Sequence, residues 1–276
     1  MKPASTGVTD NVVYGEFGSP PGSVAAPGFI RALTWNIERG VRFDAIFAFL
    51  RRCEADLILL QETDLNARRS AYRDVARELA QSLCLNYVFG LQFQELSSPN
   101  GLRPAYQGLA TLSPWPLSNG RVIRFRKQSK FWLPRPYIPR AEIFQRRLGG
   151  RIALVCEAAI GSHRLGAWNV HLESRGTDGL RIEQLKETLA DAQRYKETVP
   201  SVIGGDFNLV ASEGMAAEVL GEAGFHDAVG SRFPTTRGAR PRRIDGLFVR
   251  SGKSEGGTVH TSAAGSDHFP VSTRIY

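Results

Sequence analysis

The chain has 276 residues, 42% apolar and 22% charged, and its 35 basic and 27 acidic residues leave a net charge of +8. That apolar content excludes disorder throughout and is enough for one large core. The longest apolar runs, such as Ala45–Leu50 and Leu57–Leu60, fall far short of the ~20 residues a membrane-spanning helix needs. Residues 1–28 carry Pro3, Pro20, Pro21 and Pro27 and no apolar period. They read as a flexible extension, with Val12–Tyr14 able to dock as an edge strand. Residues 29–276 read as one domain.

In chain order, Phe29–Asn36 is extended, with Ile30, Ala32 and Thr34 on one face and Arg31, Leu33 and Trp35 on the other. Phe43, Ile46, Phe47 and Leu50 follow at helical spacing. Asp56–Gln61 is a short buried strand, and Tyr72, Val75, Ala76, Leu79 and Leu83 mark a second helix. Asn86–Leu91, Gly108–Leu112 and Val122–Phe125 are β-like. Ile152–Ile160 and Arg164–His171 form a strand pair across Gly161–His163, and Ile182, Leu185, Leu189 and Ala192 make a third helix. Val202–Asp206, Arg243–Val249 and Val271–Ile275 complete the strands. Mixed sheets with helices packed outside satisfy this order. Cys53, Cys84 and Cys156 are odd in number, with no CxxC. They suit reduced thiols, and with no signal-peptide pattern the expected location is cytoplasmic.

Charge is uneven. Between Arg121 and Arg151 stand ten basic residues and a single acid, Glu142, interleaved with Phe125, Phe131, Trp132, Tyr137 and Phe144. Cations that track phosphates and rings that stack on bases would make this segment a nucleic-acid lip. Anionic phospholipid is the alternative partner, and a solvated arginine-rich loop is the plain one. Arg124, Arg126, Lys127 and Trp132 are the expected substrate contacts, with Arg243 adding a second basic edge.

Five polar spots interrupt apolar strand ends: Thr34-Trp35-Asn36, Gln61-Glu62, Asn169-Val170-His171, Asp206-Phe207-Asn208 and Ser266-Asp267-His268, with Asp245 opening a further strand. Singly, each is an ordinary cap or turn. Together they offer hard oxygen donors suited to Mg²⁺ and imidazoles suited to proton transfer. There is no HExxH and no Cys/His cluster to favour zinc.

The blocks Thr34-Trp35-Asn36-Ile37, Gln61-Glu62, Gly108–Ser113, Asn169-Val170-His171-Leu172, Gly205-Asp206-Phe207-Asn208, Arg243-Ile244-Asp245 and Ser266-Asp267-His268 resemble, in this order, the endonuclease/exonuclease/phosphatase superfamily of DNase I-like fold. The resemblance spans residues 29–276. It implies a four-layer α/β sandwich, two mixed β-sheets face to face with helices outside, and a catalytic domain acting on phosphate esters. By motif, Asn36, Glu62 and Asp267 would form the Mg²⁺ site, with Mn²⁺ able to substitute. Asp206 would activate water beside Asn208. His268, paired with Asp245, would contact the scissile phosphate, and His171 would stabilise the transition state. The block His171-Leu172-Glu173-Ser174, with Arg181 and Gln184 beyond it, is similar to the tyrosyl-DNA phosphodiesterases. The expected activity is a phosphodiesterase on nucleic acid, probed against a sphingomyelinase-like or phosphomonoesterase alternative, in a monomer.

Overall fold

The computed structural model describes residues 12–18, 27–100, 103–129, 131 and 147–276. In chain order the strands are β1 (Val12–Gly15), β2 (Ile30–Arg39), β3 (Leu57–Leu65), β4 (Asn86–Asn100), β5 (Arg103–Ser113), β6 (Leu117–Arg124), β7 (Arg147–Gly149), β8 (Ile152–Ile160), β9 (His163–His171), β10 (Ser201–Asp206), β11 (His226–Asp227), β12 (Asp245–Arg250), β13 (Ser254–Val259) and β14 (Val271–Ile275). One sheet runs β1-β4-β5-β3-β2-β14-β13, with β7 also on β4, and the other runs β11-β12-β10-β9-β8-β6. The pairs β2–β3 and β9–β10 are parallel.

Alternation along the strands builds the layers. In β2, Ala32 enters the core between the sheets while Leu33 and Trp35 face the helices. The inter-sheet core joins Leu57, Leu59, Val88 and Leu109 of the first sheet to Ile152, Leu154, Val202 and Leu247 of the second. Helices α1 (Phe43–Cys53) and α2 (Val75–Leu83) cover the first sheet through Ile46, Leu50 and Leu79. Helices α3 (Asp178–Ala192) and α4 (Gly214–Glu222) cover the second through Leu185, Leu189 and Leu220. This is the expected four-layer α/β sandwich. No described helix is long and apolar enough to cross a membrane.

Val12–Gly15 docks antiparallel on β4, the edge strand the sequence allowed. Other elements differ from the sequence reading. Strands β3, β4 and β5 run well beyond their apolar segments, because cross-strand pairing continues past the buried stretch. Tyr72 precedes α2, which starts after Asp74, whose side chain accepts from Arg77 N at 3.2 Å. Helix α4 and strand β13 are unanticipated. The first is rich in small residues, and the second carries Gly256 and Gly257 and pairs in the sheet with β14.

Candidate active site

Strand register sets the centre of the site. Asp206 lies opposite His171 on parallel β9 and opposite Asp245 on antiparallel β12, so three residues distant in sequence meet at one sheet end. Gly205 makes this approach possible. Its φ is +152°, and a Cβ there would lie 1.9 Å from the Val170 carbonyl oxygen. The Asp206 carboxylate is buried and directed. Its Oδ1 accepts from Asn208 N at 2.9 Å, and its Oδ2 accepts from Asn36 Nδ2 at 3.0 Å, which ties the second sheet to the first. Asn208 takes a left-handed φ of 54°, which Asn tolerates, and its Nδ2 donates to Leu172 O at 3.1 Å.

The two histidines flank the same carboxylate oxygen. His171 Nε2 is 3.4 Å and His268 Nε2 is 3.9 Å from Asp206 Oδ2. His268 Nδ1 sits 2.8 Å from Asp245 Oδ2, which also accepts from Thr235 Oγ1 at 2.6 Å. Burial opposes a charged ring here, but Asp245, then Asp206 and Asp267, outweigh it and push the His268 pKa up to about 10. His268 is therefore an imidazolium at neutral pH. The chain behind it is pinned to β2: Ser266 Oγ donates to Asn36 O at 2.6 Å, and Trp35 Nε1 donates to His268 O at 3.0 Å.

His171 has the opposite character. Arg151 Nη1 lies 2.6 Å from its Nε2, and Arg151 Nη2 donates to Ser174 Oγ at 2.7 Å. A guanidinium can only donate, so Nε2 accepts and the ring proton sits on Nδ1. Burial first, then Arg151, His268 and Arg147, hold the His171 pKa well below its ordinary value. Asp206 moves up: burial, then the charge of Asp245, raises its proton affinity against the pull of His268, Asn36 and Arg151.

Asp206, Asp245 and His268 place ligand atoms within 4.8 Å of one another. A cation there would have to break the His268–Asp245 pair; Glu62, Asn36 and Asp267 are the other oxygen donors that could hold one. Glu62 sits where β2 and β3 both lose register, between Asn36 and Arg39 and between Leu60 and Thr63. Its φ of 54° turns it out of the ladder. Its carboxylate's one ion pair among the described residues is with Arg39 Nε, at a loose 3.6 Å. Asn36 Oδ1 accepts from Glu38 N at 3.1 Å and keeps a second lone pair. Asp267 is exposed next to His268. An all-oxygen set with an under-engaged carboxylate fits a hard divalent cation better than zinc.

The expected substrate contacts are distributed differently. Arg124 is part-buried and donates to Leu91 O at 3.0 Å. Arg126, 87% exposed at its side chain, and Lys127 lie along α3, at 3.5 Å from Glu187 and 2.7 Å from Glu183. Arg243 is held by Asp227 Oδ2 at 2.6 Å and by Ser212. Trp132 lies outside the described residues. Of the basic segment, Arg121 and Arg147 are also paired, with Asp191 and Glu95. Of the five polar spots, Gln61 and Asn169 bond to each other across the sheets at 2.8 Å. Arg181 and Gln184 hold the Glu173 backbone, at 2.7 and 2.9 Å. Thr235, Arg39 and Arg151 escaped the sequence reading as site residues. Arg151 had one available signal, its position just before the strand whose Ile152 pairs with His171.

Comparison with known proteins follows the same geometry. The model of the Endonuclease/Exonuclease/phosphatase family matches residues 33–268. No curated protein sequence matches. An endonuclease/exonuclease/phosphatase structure from Beutenbergia cavernae DSM 12333 is similar at TM-score 0.66 and 20% identity, covering 90% of this chain and 71% of that one. Truncated Caenorhabditis elegans TDP2 is similar at TM-score 0.60 and 18% identity, covering 90% and 98%. The human Nocturnin catalytic domain with bound sulfate anion is similar at TM-score 0.67 and 16% identity, covering 92% and 96%.

Proposed function

The chain belongs to the endonuclease/exonuclease/phosphatase family and is a phosphoester hydrolase, and from that premise we propose that it is a Mg²⁺-dependent phosphodiesterase acting on nucleic acid. The observation that carries this reading is the charge order of the site, a buried carboxylate, Asp206, with a cationic His268 at 3.9 Å.

In this reading the Asp206 carboxylate accepts the proton of the attacking water, oriented by the Asn36 and Asn208 N–H groups it already binds. His268 presents Nε2–H to a phosphoryl oxygen, and Asp245 keeps that donor charged while developing negative charge is greatest. His171 contributes a neutral ring beside Arg151. A divalent cation held by Glu62, Asn36 and Asp267 would draw charge from the phosphate and fix its orientation.

Nucleic acid is favoured over lipid by one feature near His171. Glu173 Oε1 accepts from Arg175 N at 2.8 Å and its Oε2 accepts from Ser129 N at 3.1 Å. This joins the catalytic loop to the segment carrying Phe131, whose ring is 62% exposed with the Arg175 guanidinium 5.0 Å from its centre. A ring and a cation beside a phosphate site suit a stacked base and its backbone. The test is a panel of single- and double-stranded DNA, RNA, sphingomyelin and inositol phosphates under one Mg²⁺ or Mn²⁺ condition, with Asp206→Ala as background. Turnover of a lipid or inositol phosphate ahead of every nucleic acid would overturn the substrate assignment.

A further inference from the structure

The Glu38-Arg39-Gly40 turn has three successive positive φ values, 46°, 68° and 72°. Non-glycine residues in this region are held at some cost, and the turn holds Arg39 against Glu62. Yet the contact it secures is poor. Arg39 Nε is buried without a hydrogen-bond partner and stands 3.6 Å from Glu62 Oε2. Two other cations act on Glu62, Arg147 and Arg151. Both are committed, Arg147 to Glu95 and Gln107, Arg151 to His171 and Ser174.

We propose that Arg39 is a metal-gated phosphate ligand, resting on Glu62 until a divalent cation takes that carboxylate and then turning to a phosphate group. The inference rests on the metal reading of Glu62 above. A guanidinium and a divalent cation repel when they share one carboxylate, so Arg39 competes with metal uptake. Once displaced, its planar fork suits a phosphate better than an ammonium would. Metal and anion are then coupled, and the coupling is reciprocal: each strengthens the other by the same factor.

The experiment measures Mn²⁺ binding by electron paramagnetic resonance, with and without inorganic sulfate at constant ionic strength. Wild type is compared with Arg39→Gln, Arg39→Lys and a neighbouring control, Arg42→Gln, which removes the same charge from an exposed pair with Glu38. The expected result is a gain in Mn²⁺ affinity of about two- to fivefold in Arg39→Gln without sulfate, the scale of a partly exposed ion pair. The enhancement by sulfate should shrink in that variant and persist in Arg39→Lys, while Arg42→Gln should match wild type. Unchanged or weaker Mn²⁺ affinity in Arg39→Gln, undiminished sulfate enhancement, or an equal gain in Arg42→Gln overturns the proposal. Arg39→Met repeats the test if Arg39→Gln is not folded by circular dichroism. A wild type that cleaves no phosphodiester but shows the sulfate coupling keeps the Arg39 assignment and removes the hydrolytic reading. A cleaving wild type whose Arg39→Gln variant is identical in both titrations removes only the assignment.

Discussion

Replacing Asp245 by Asn removes one charge while keeping the shape that Thr235 and His268 pack against. In the wild type, a His268 pKa of about 10 leaves about 99% of the ring charged at pH 8. Without the carboxylate, burial acts against the imidazolium with only Asp206 and Asp267 left to oppose it, and its pKa falls. A return to the ordinary histidine value of about 6.5 would leave about 3% charged at pH 8 and lower turnover there about 30-fold. The Asp245 charge also raises the proton affinity of Asp206, so the acid limb should move down as well. The assay is kcat/KM for bis(p-nitrophenyl) phosphate from pH 5.5 to 9.5, and the signature is displacement of the whole profile toward acid. Stability carries the same sign. A histidine bound more tightly to its proton in the folded state adds stability in full below about pH 6.5 and loses it as pH rises through about 10. The Tm gap between wild type and variant should therefore narrow over that range. An equal loss of rate at every pH, with both limbs unmoved, would refute the reasoning and leave Asp245 an orienting residue only.

Asp206→Asn should lose about 10²- to 10⁴-fold in kcat with an unchanged circular dichroism spectrum, and activity near wild type would remove Asp206 as the base. Arg151→Met should raise the His171 pKa, read from ring ¹⁵N shifts by nuclear magnetic resonance. An unmoved titration would show that Arg151 does not contribute to keeping that ring neutral. Gly205→Ala should lower unfolding free energy by at least about 2 kcal/mol, from backbone strain and overlap with Val170 O, and an unshifted urea midpoint would contradict the packing. Phe131→Ala should weaken single-stranded oligonucleotide binding about 5- to 150-fold and leave bis(p-nitrophenyl) phosphate turnover intact, whereas equal losses on both substrates would make Phe131 structural.

The polar residues of the site were conspicuous in the sequence because they interrupt apolar strands. Asp206, Asn208, Asp245 and His268 do converge. Roles were harder to read. Gln61 and Asn169 stand out in the same way, yet they bond to each other between the sheets. Whether a strand-end amide reaches across a core or into a cleft depends on sheet stacking, which no local pattern encodes. Arg151 was one arginine among many in a basic run. Its burial against His171 follows from β8 pairing with β9. Among the described residues of the basic run, Arg121, Arg126, Lys127 and Arg147 meet Asp191, Glu187, Glu183 and Glu95 from elsewhere in the chain. Local charge counts cannot see such partners.

In the proposed reaction, the opposite states of the two histidines are what let Asp206 serve as the base. Were both rings cationic, 3.4 and 3.9 Å from its Oδ2, their combined field would depress its proton affinity and leave a poor acceptor. Were both neutral, burial and the charge of Asp245 would drive the carboxyl toward its protonated, unreactive form. One charged and one neutral ring hold it between these limits. The asymmetry comes from what stands behind each ring: a carboxylate behind His268, which attracts a proton, and a guanidinium against His171, which repels one. Beyond burial, the proton affinity of Asp206 is thus tuned by two residues it does not touch through a hydrogen bond, Asp245 and Arg151. Either can be altered without removing Asp206, the proposed base, or His268, the proposed phosphate contact.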